Sequence, residues 1–229
     1  MRLTLDALER HARPGVSTGE LDRVAAGVFG AHEARSAPSL VYGFPGTVLI
    51  SVNDEVVHGI PGSRRLEAGD VLKLDVTAEK AGYMADAART MVLEGASDVA
   101  QRLRACVREA FMSALKVARA GSFVSEIGRA VEAEVDRWGF SVIRGLGGHG
   151  IGRTIHEAPS VPNCYDPRQQ DVLTEGLVVT IEPIISSGSG EAFEDRDGWT
   201  VRTKDGSLAA HHEHTLVITR RQPVLLTAA

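Results

Sequence analysis

The chain has 229 residues, enough for one large or two small domains with a sizeable core. Its 43% hydrophobic and 24% charged residues are those of a soluble globular protein, and its net charge of −5 argues against a dedicated nucleic-acid or anionic-membrane surface. No uncharged run reaches the length of a membrane span, and the charged N-terminus "MRLTLDALERHARPG" has no signal-peptide core. Two cysteines, Cys106 and Cys164, make no disulfide framework, which points to a reducing cytosol. In chain order, Ser17 and Glu20 form a capping box ahead of the helical stripe Leu21, Val24, Val28 and Phe29. A strand is expected near 48–52. Runs at 71–79 and 83–93 flank the polar turn Glu79-Lys80-Ala81-Gly82 and read as a hairpin. Ser97 caps a helix with Val99, Leu103, Val107, Phe111 and Leu115 on one face, and Ile127, Val131, Val135 and Trp138 form a third stripe ended by Gly139. Strands follow near 141–145, 177–185, 199–203 and 213–219, with residues 186–198 expected as a mobile or functional loop. Strand pairs joined by hairpins, with helices grouped between them, predict an α+β fold with a mostly antiparallel sheet.

The chain repeats itself once. "ARPGVSTGELDR" (12–23) resembles "ARAGSFVSEIGR" (118–129) at an offset of 106, and "GDVLKLDV" (69–76) resembles "GLVVTIEP" (176–183) at an offset of 107. Asp75 thereby meets Glu182. Short apolar strands can look alike by chance, but two matches in one order at nearly one offset point to a duplication. A single domain, 1–229, is expected, made of related halves at roughly 1–105 and 106–229.

Asp75 and Asp86 lie in "LKLDVTAEKAGYMADAART" among apolar or small residues. A turn centred between Lys80 and Ala81 sets them directly opposite, with Cβ atoms about 4.5–5.5 Å apart; a bulge at Gly82 would shift this register by one. Bare carboxylates so close repel, so a shared proton, an arginine or a metal must compensate. Other chemistry-bearing residues are His149 among the glycines of "GLGGHGIG", Glu182 in "VVTIEP", Glu213 in "HHEHTLVIT", His58 before a Gly-Ile-Pro-Gly turn, and His156 in "RTIHEAP". Singly, each reads equally well as a loop histidine or a solvated strand end. Together, two Asp, two Glu and a His on or beside strands are a ligand set for two divalent ions with bridging carboxylates, an arrangement that activates water. Zinc-finger spacing, HExxH, a Walker lysine and a nucleophile elbow are all missing, and "GLGGHGIG" lacks the acidic partner of a dinucleotide fingerprint.

Five motifs in order, "SVNDEVVHGIP", "LKLDVTAEKAGYMADAART", "GGHGIGRTIHEAP", "VVTIEP" and "EHTLVIT", carry a family resemblance from about Ala12 to the last strand. The chain resembles the methionine aminopeptidases, in "SVNDEVVHGIP" those of the bacterial type, and more broadly the pita-bread metallopeptidases that include prolidase and aminopeptidase P. The resemblance implies the pita-bread fold, two pseudo-twofold halves around a curved, mostly antiparallel sheet. It implies that Asp75, Asp86, His149, Glu182 and Glu213 bind two divalent ions, with Asp86 and Glu213 bridging and His149 and Glu182 completing one of them. Glu182 would also accept a proton from the attacking water. His156 would hydrogen-bond the scissile carbonyl or its oxyanion, and His58 would contact the substrate amide and help proton transfer to the leaving amine. Phe44, Leu49, Ile155 and Trp199 would line an apolar side-chain pocket. Co, Mn, Fe and Zn all suit the mixed oxygen and nitrogen set. The implied activity is removal of the initiator methionine from nascent polypeptides, in the cytoplasm, by a monomer with the ribosome as a partner and no nucleic acid or membrane bound directly.

The chain departs from the family pattern in places. Leu49 stands where a cysteine is frequent and Ile155 where an aromatic is frequent, which is expected to widen or reshape the pocket; all four pocket residues are also ordinary core types. Family members carry a further helical segment before "ARPGVSTGELD", so the resemblance implies either a misplaced start or a shortened first helix. An Xaa-Pro or other small-peptide aminopeptidase of the same fold is the alternative activity, with short length speaking against prolidase. A non-catalytic binding module of this fold is a third reading, against which the five filled ligand positions speak.

Overall fold

The computed structural model describes residues 1–228. Its first part runs α1 (Arg2–His11), α2 (Thr18–Ala31), β1 (Arg35–Ser36), α3 (Ala37–Tyr42), β2 (Leu49–Val52), β3 (Glu55–Val57), β4 (Val71–Lys80) and β5 (Tyr83–Val92). The second part runs α4 (Asp98–Val117), α5 (Val124–Trp138), β6 (Ser141–Val142), β7 (Gly147–Gly150), β8 (Glu157–Pro162), β9 (Val178–Ile181), β10 (Ile184–Ser186), β11 (Ala192–Glu194), β12 (Val201–Thr203), β13 (Ala209–His211), β14 (His214–Val217) and β15 (Val224–Leu225). Every helix boundary read from the sequence has its physical cause in place. Ser17 Oγ accepts from Glu20 N–H at 3.2 Å while Glu20 Oε2 accepts from Ser17 N–H at 2.7 Å, closing the capping box of α2. Ser97 Oγ accepts from Ala100 N–H at the start of α4, and Gly139 takes the left-handed conformation, φ 75°, that ends α5.

All strand pairings among the described residues are antiparallel. One sheet runs β1-β4-β2 with β5 on β4; another runs β15-β14-β9-β7-β8; β13-β10-β6 and β11-β12-β3 complete the set. Helices α1 and α2 cover the first sheet through Leu5, Leu8 and Leu21 against Leu72, Leu74 and Val76. Helices α4 and α5 cover the second through Leu103, Phe111, Ile127 and Val131 against Val179, Ile181 and Leu216. Each such side chain is fully or nearly fully buried, and burial of a large aliphatic side chain stabilises by about 1.5–3 kcal/mol. A third cluster, Val56, Val57, Ile143, Ile184 and Ala209, joins strands of both parts.

Local contacts recur at the offsets of the sequence repeat. Gly15 N–H donates to Leu66 O at 2.8 Å, and Gly121 N–H donates to Leu173 O at 2.9 Å. Ser17 bridges Arg65 as Phe123 bridges Val172. The loops ahead of β4 and β9 both turn at a left-handed glycine, Gly69 at φ 89° and Gly176 at φ 86°.

Several expectations need correction. The hairpin turns on Ala81 and Gly82, both left-handed at φ 53° and φ 80°, so Asp75 pairs with Ala88 and Asp86 with Thr77. The aspartates are therefore diagonal rather than directly opposite. They still share a face, because the register differs by two residues and the pleat repeats every two. The run 177–185 is two strands in different sheets, since Pro183 has no N–H to continue the ladder. The run 213–219 likewise begins at β14, with Glu213 in the gap after β13. Residues 186–198, expected as a loop, include β11, which pairs with β12. Val99, expected on the buried stripe of α4, is 43% exposed.

Candidate metal centre

Strand alternation selects what faces the cleft between the two sheets. With Leu72, Leu74 and Val76 packed beneath helices, Lys73, Asp75 and Thr77 point the other way. Register places Thr90, Ala88 and Asp86 opposite those three on the same face. In the second part, burial of Val179, Ile181 and Leu216 leaves Thr180, Glu182, Glu213 and Thr215 for the cleft. Glycine matters at β7, which carries His149 between β8 and β9. A Cβ on Gly148 would collide with Thr180 O, and one on Gly150 with Ala158 O.

The cleft groups are held in place by threonines. Thr77 Oγ1 donates to Asp86 Oδ2 at 2.9 Å, and Thr180 Oγ1 donates to Glu182 Oε2 at 2.8 Å. Thr180 Oγ1 also accepts from His149 N–H at 3.1 Å. The Asp86 N–H donates to Thr215 Oγ1, which donates back to Asp86 O, each at 2.8 Å. His149 Nδ1 lies 3.0 Å from Gly150 O; with the proton on Nδ1, the Nε2 lone pair faces Glu182 Oε2 at 3.6 Å.

Two triads of donor atoms result, each drawn within 4.8 Å: Asp86 with His149 and Glu213, and Asp75 with His211 and Glu213. Glu213 belongs to both. Asp86 and Glu213 are buried and Asp75 is half-buried at the cleft floor. One oxygen each of Asp75, Asp86 and Glu213, and both ring nitrogens of His211, are buried without a hydrogen-bond partner. Burial, followed by the charges of its acidic neighbours, raises Asp75 and Glu213 well above the ordinary carboxyl range; burial raises Asp86 and pushes Glu182 up to about 8. Four carboxyl groups with raised pKa values, three of them with an unpaired buried oxygen, fit a cation, whose charge would restore the ionised forms. The donors, carboxylates with imidazoles, suit a divalent ion.

A cavity of about 220 Å³ opens above this floor. Leu49, Ile155 and Trp199 line it as expected; Phe44 does not, but backs Trp199 in an edge contact at 5.2 Å. His58, at the mouth, has a left-handed backbone, φ 60°. The His156 ring lies 4.2 Å from that of His149, and its Nδ1 is 2.6 Å from the Tyr42 hydroxyl. Burial and then His149 lower the His156 pKa, favouring a neutral ring. Sequence reasoning overlooked Tyr42, the threonine clamps and His211. Tyr42 sits exposed at the end of a six-residue helix with no periodic signal. His211 was obscured by the histidine run "HHEHT", although laying that run on "DAART" (86–90) would have singled it out.

Helix-covered antiparallel sheets around an acidic, histidine-bearing cleft define a candidate metal-site class. The chain belongs to the metallopeptidase family M24, whose family model matches residues 2–220. It is 44% identical to "Methionine aminopeptidase 2" of Bacillus subtilis, covering 98% of this chain and 91% of that one. It is 40% identical to a methionine aminopeptidase of Aquifex aeolicus, covering 97% and 90%. Among solved structures, a Thermotoga maritima methionine aminopeptidase superposes with TM-score 0.96 at 32% identity, covering 100% of this chain and 92% of that one. A Pyrococcus horikoshii prolidase, at TM-score 0.78, 21% identity and 58% of its own length, shares the fold alone. The fold is thus the pita-bread fold, and the family is one of metal-dependent peptidases. Among the described residues no helix is long and apolar enough to cross a membrane.

Proposed function

We propose that the chain is a methionine aminopeptidase that removes the initiator methionine from nascent polypeptides, using two divalent ions. The observation that carries this reading is the pair of donor triads joined through Glu213 at the floor of a cavity with an apolar wall. Asp75, Asp86, His149, Glu182 and Glu213 would hold the ions. Bound there, divalent ions supply a water of lowered pKa and a positive field for charge developing on the scissile carbonyl. Glu182, oriented by Thr180 and beside His149, takes the proton of the attacking water. His156 donates to the carbonyl oxygen as it becomes an oxyanion; Tyr42, donating to Nδ1, keeps the ring proton on Nε2 for that purpose. His58 meets the substrate amide at the cavity mouth and passes a proton to the leaving amine. Leu49, Ile155 and Trp199, backed by Phe44, exclude water and take the methionine side chain.

The same reading makes 1–229 one catalytic domain of two related halves, about 1–105 and 106–229; the recurring glycine and bridge contacts support it. The proposed ligands all lie within this one chain, so the site would be complete in a monomer. The free thiols Cys106 and Cys164 support a cytoplasmic enzyme meeting its substrate at the ribosome. Co, Mn, Fe and Zn are the ions its donors suit. The test is release of the N-terminal residue from Met-Ala-Ser and Ala-Pro-Ala by metal-reconstituted protein. Cleavage of the methionyl peptide alone is expected; cleavage of the prolyl peptide alone would move the chain to the Xaa-Pro branch. Asp86→Ala should abolish both metal retention and turnover, and an active, metal-free variant would sink the metal assignment.

A further inference from the structure

We propose that His211 is a sixth protein ligand, supplying a nitrogen donor to the divalent ion held by Asp75 and Glu213. The inference rests on the metal-centre reading above and deepens it. His211 is 2% exposed, and neither ring nitrogen has a hydrogen-bond partner. A buried imidazole that served packing alone would be expected to have its polar atoms paired. Instead one nitrogen falls within 4.8 Å of donor oxygens of Asp75 and Glu213, and Nε2 lies 3.7 Å from Glu213 Oε2. The backbone is pinned for this task. Thr90 Oγ1 donates to His211 O at 2.7 Å and accepts from His211 N–H at 2.8 Å, fastening β13 across to β5.

The internal symmetry gives an independent argument. Val71 pairs with Val92 as Val178 pairs with Val217, and Thr77 pairs with Asp86 as Ile184 pairs with His211. The two-fold relation thus lays "DAART" on "HHEHT", and His211 on Asp86. The side-chain clamps obey it too: Thr215 grips the backbone of Asp86 as Thr90 grips that of His211. At the centre, Ala88 and Glu213, themselves equivalent, exchange backbone hydrogen bonds at 3.2 and 2.9 Å. His211 therefore stands where the other half places a metal-facing carboxylate. With it, each ion position has a nitrogen donor, His149 on one side and His211 on the other. Borderline ions such as Zn and Co should gain over Mn relative to a site with oxygen donors only.

The experiment loads chelator-stripped protein, grown with isotope-labelled histidine nitrogens, with a magnetic cadmium isotope and records nitrogen–cadmium one-bond coupling. Such coupling exists only across a direct bond. Two coupled histidine nitrogens are expected, one lost in His211→Gln and the other in His149→Gln. Titration calorimetry of His211→Gln should show one Co or Zn event weakened by roughly 10–100-fold or more, the scale of losing even a supporting partner. A single coupled nitrogen that vanishes in His149→Gln overturns the proposal, as does a His211→Gln variant that keeps both couplings. Should His211→Gln fail to fold, the wild-type count and His149→Gln decide alone. Cadmium not retained by the wild type would instead defeat the metal-centre reading itself.

Discussion

Tyr42 shows how a single hydroxyl can act on chemistry it does not touch. Its oxygen is 2.6 Å from His156 Nδ1, although Tyr42 is half exposed on a different element. A donor there selects one imidazole tautomer and fixes the ring that meets His149 edge-on. Tyr42→Phe keeps the ring and removes the bond. One hydrogen bond of ~1 kcal/mol corresponds to roughly fivefold in rate. Steady-state kinetics on Met-Ala-Ser should show kcat reduced by about that factor with KM little changed, because a tautomer matters most when the oxyanion forms. An unaltered kcat would remove Tyr42 from the machinery. The acidic and histidine groups of the cleft were legible in the sequence because their residue types are costly to bury without a purpose and they recur in recognisable motifs. Tyr42 and His211 were not, since their meaning lies in contacts across 114 residues for one and in a symmetry relation for the other.

At the level of strands and helices, elements with caps, stripes or apolar runs were readable, short β2 near 48–52 included, and those without such a signal were not. Helices α2, α4 and α5 carry caps and stripes, and β4 and β5 carry ten-residue runs around a glycine turn. By contrast β7 is Gly-Gly-His-Gly, with no apolar pattern, and β8 contains two prolines. Their pairing is decided by close backbone approach at Gly148 and Gly150, which no periodicity reports. The breaks at Glu182-Pro183 and Glu213 have a shared logic: His212 N–H donates to Pro183 O, so the two interruptions lie side by side and bring both glutamates to the floor. Thr90 and Thr215 then tie strands of opposite halves together. Thr215→Val and Thr90→Val preserve shape but leave buried backbone groups of Asp86 or His211 without their side-chain partner. Each should destabilise the protein by about 1–3 kcal/mol. Urea unfolding of metal-free protein measures this directly, since removing the ion isolates the strand contribution; a midpoint equal to wild type for either variant would show that the clamp is dispensable.

Across the whole molecule, the two sheets meet where their charge is least tolerable. Helix-covered cores stabilise each half separately, and the cluster of Val56, Val57, Ile143, Ile184 and Ala209 joins them with small aliphatic side chains. Beside that joint lie four carboxyl groups, Asp75 and Asp86 from one half and Glu182 and Glu213 from the other, all raised by burial. A divalent ion held by both sets would turn mutual repulsion into a cross-link, and would bind only the folded arrangement. Stability is then linked to ion concentration: a ligand at a hundred times its Kd adds about 2.7 kcal/mol. At roughly 2–4 °C per kcal/mol for a chain of this size, that is a rise in Tm of about 5–11 °C. Thermal unfolding of chelator-treated protein, with and without added Co or Mn, should show this gain, and Asp86→Ala should lose it. A Tm that ignores both chelator and metal would mean that the halves are held by their apolar joint alone, and that the carboxyl groups at the floor meet no ion in the folded state.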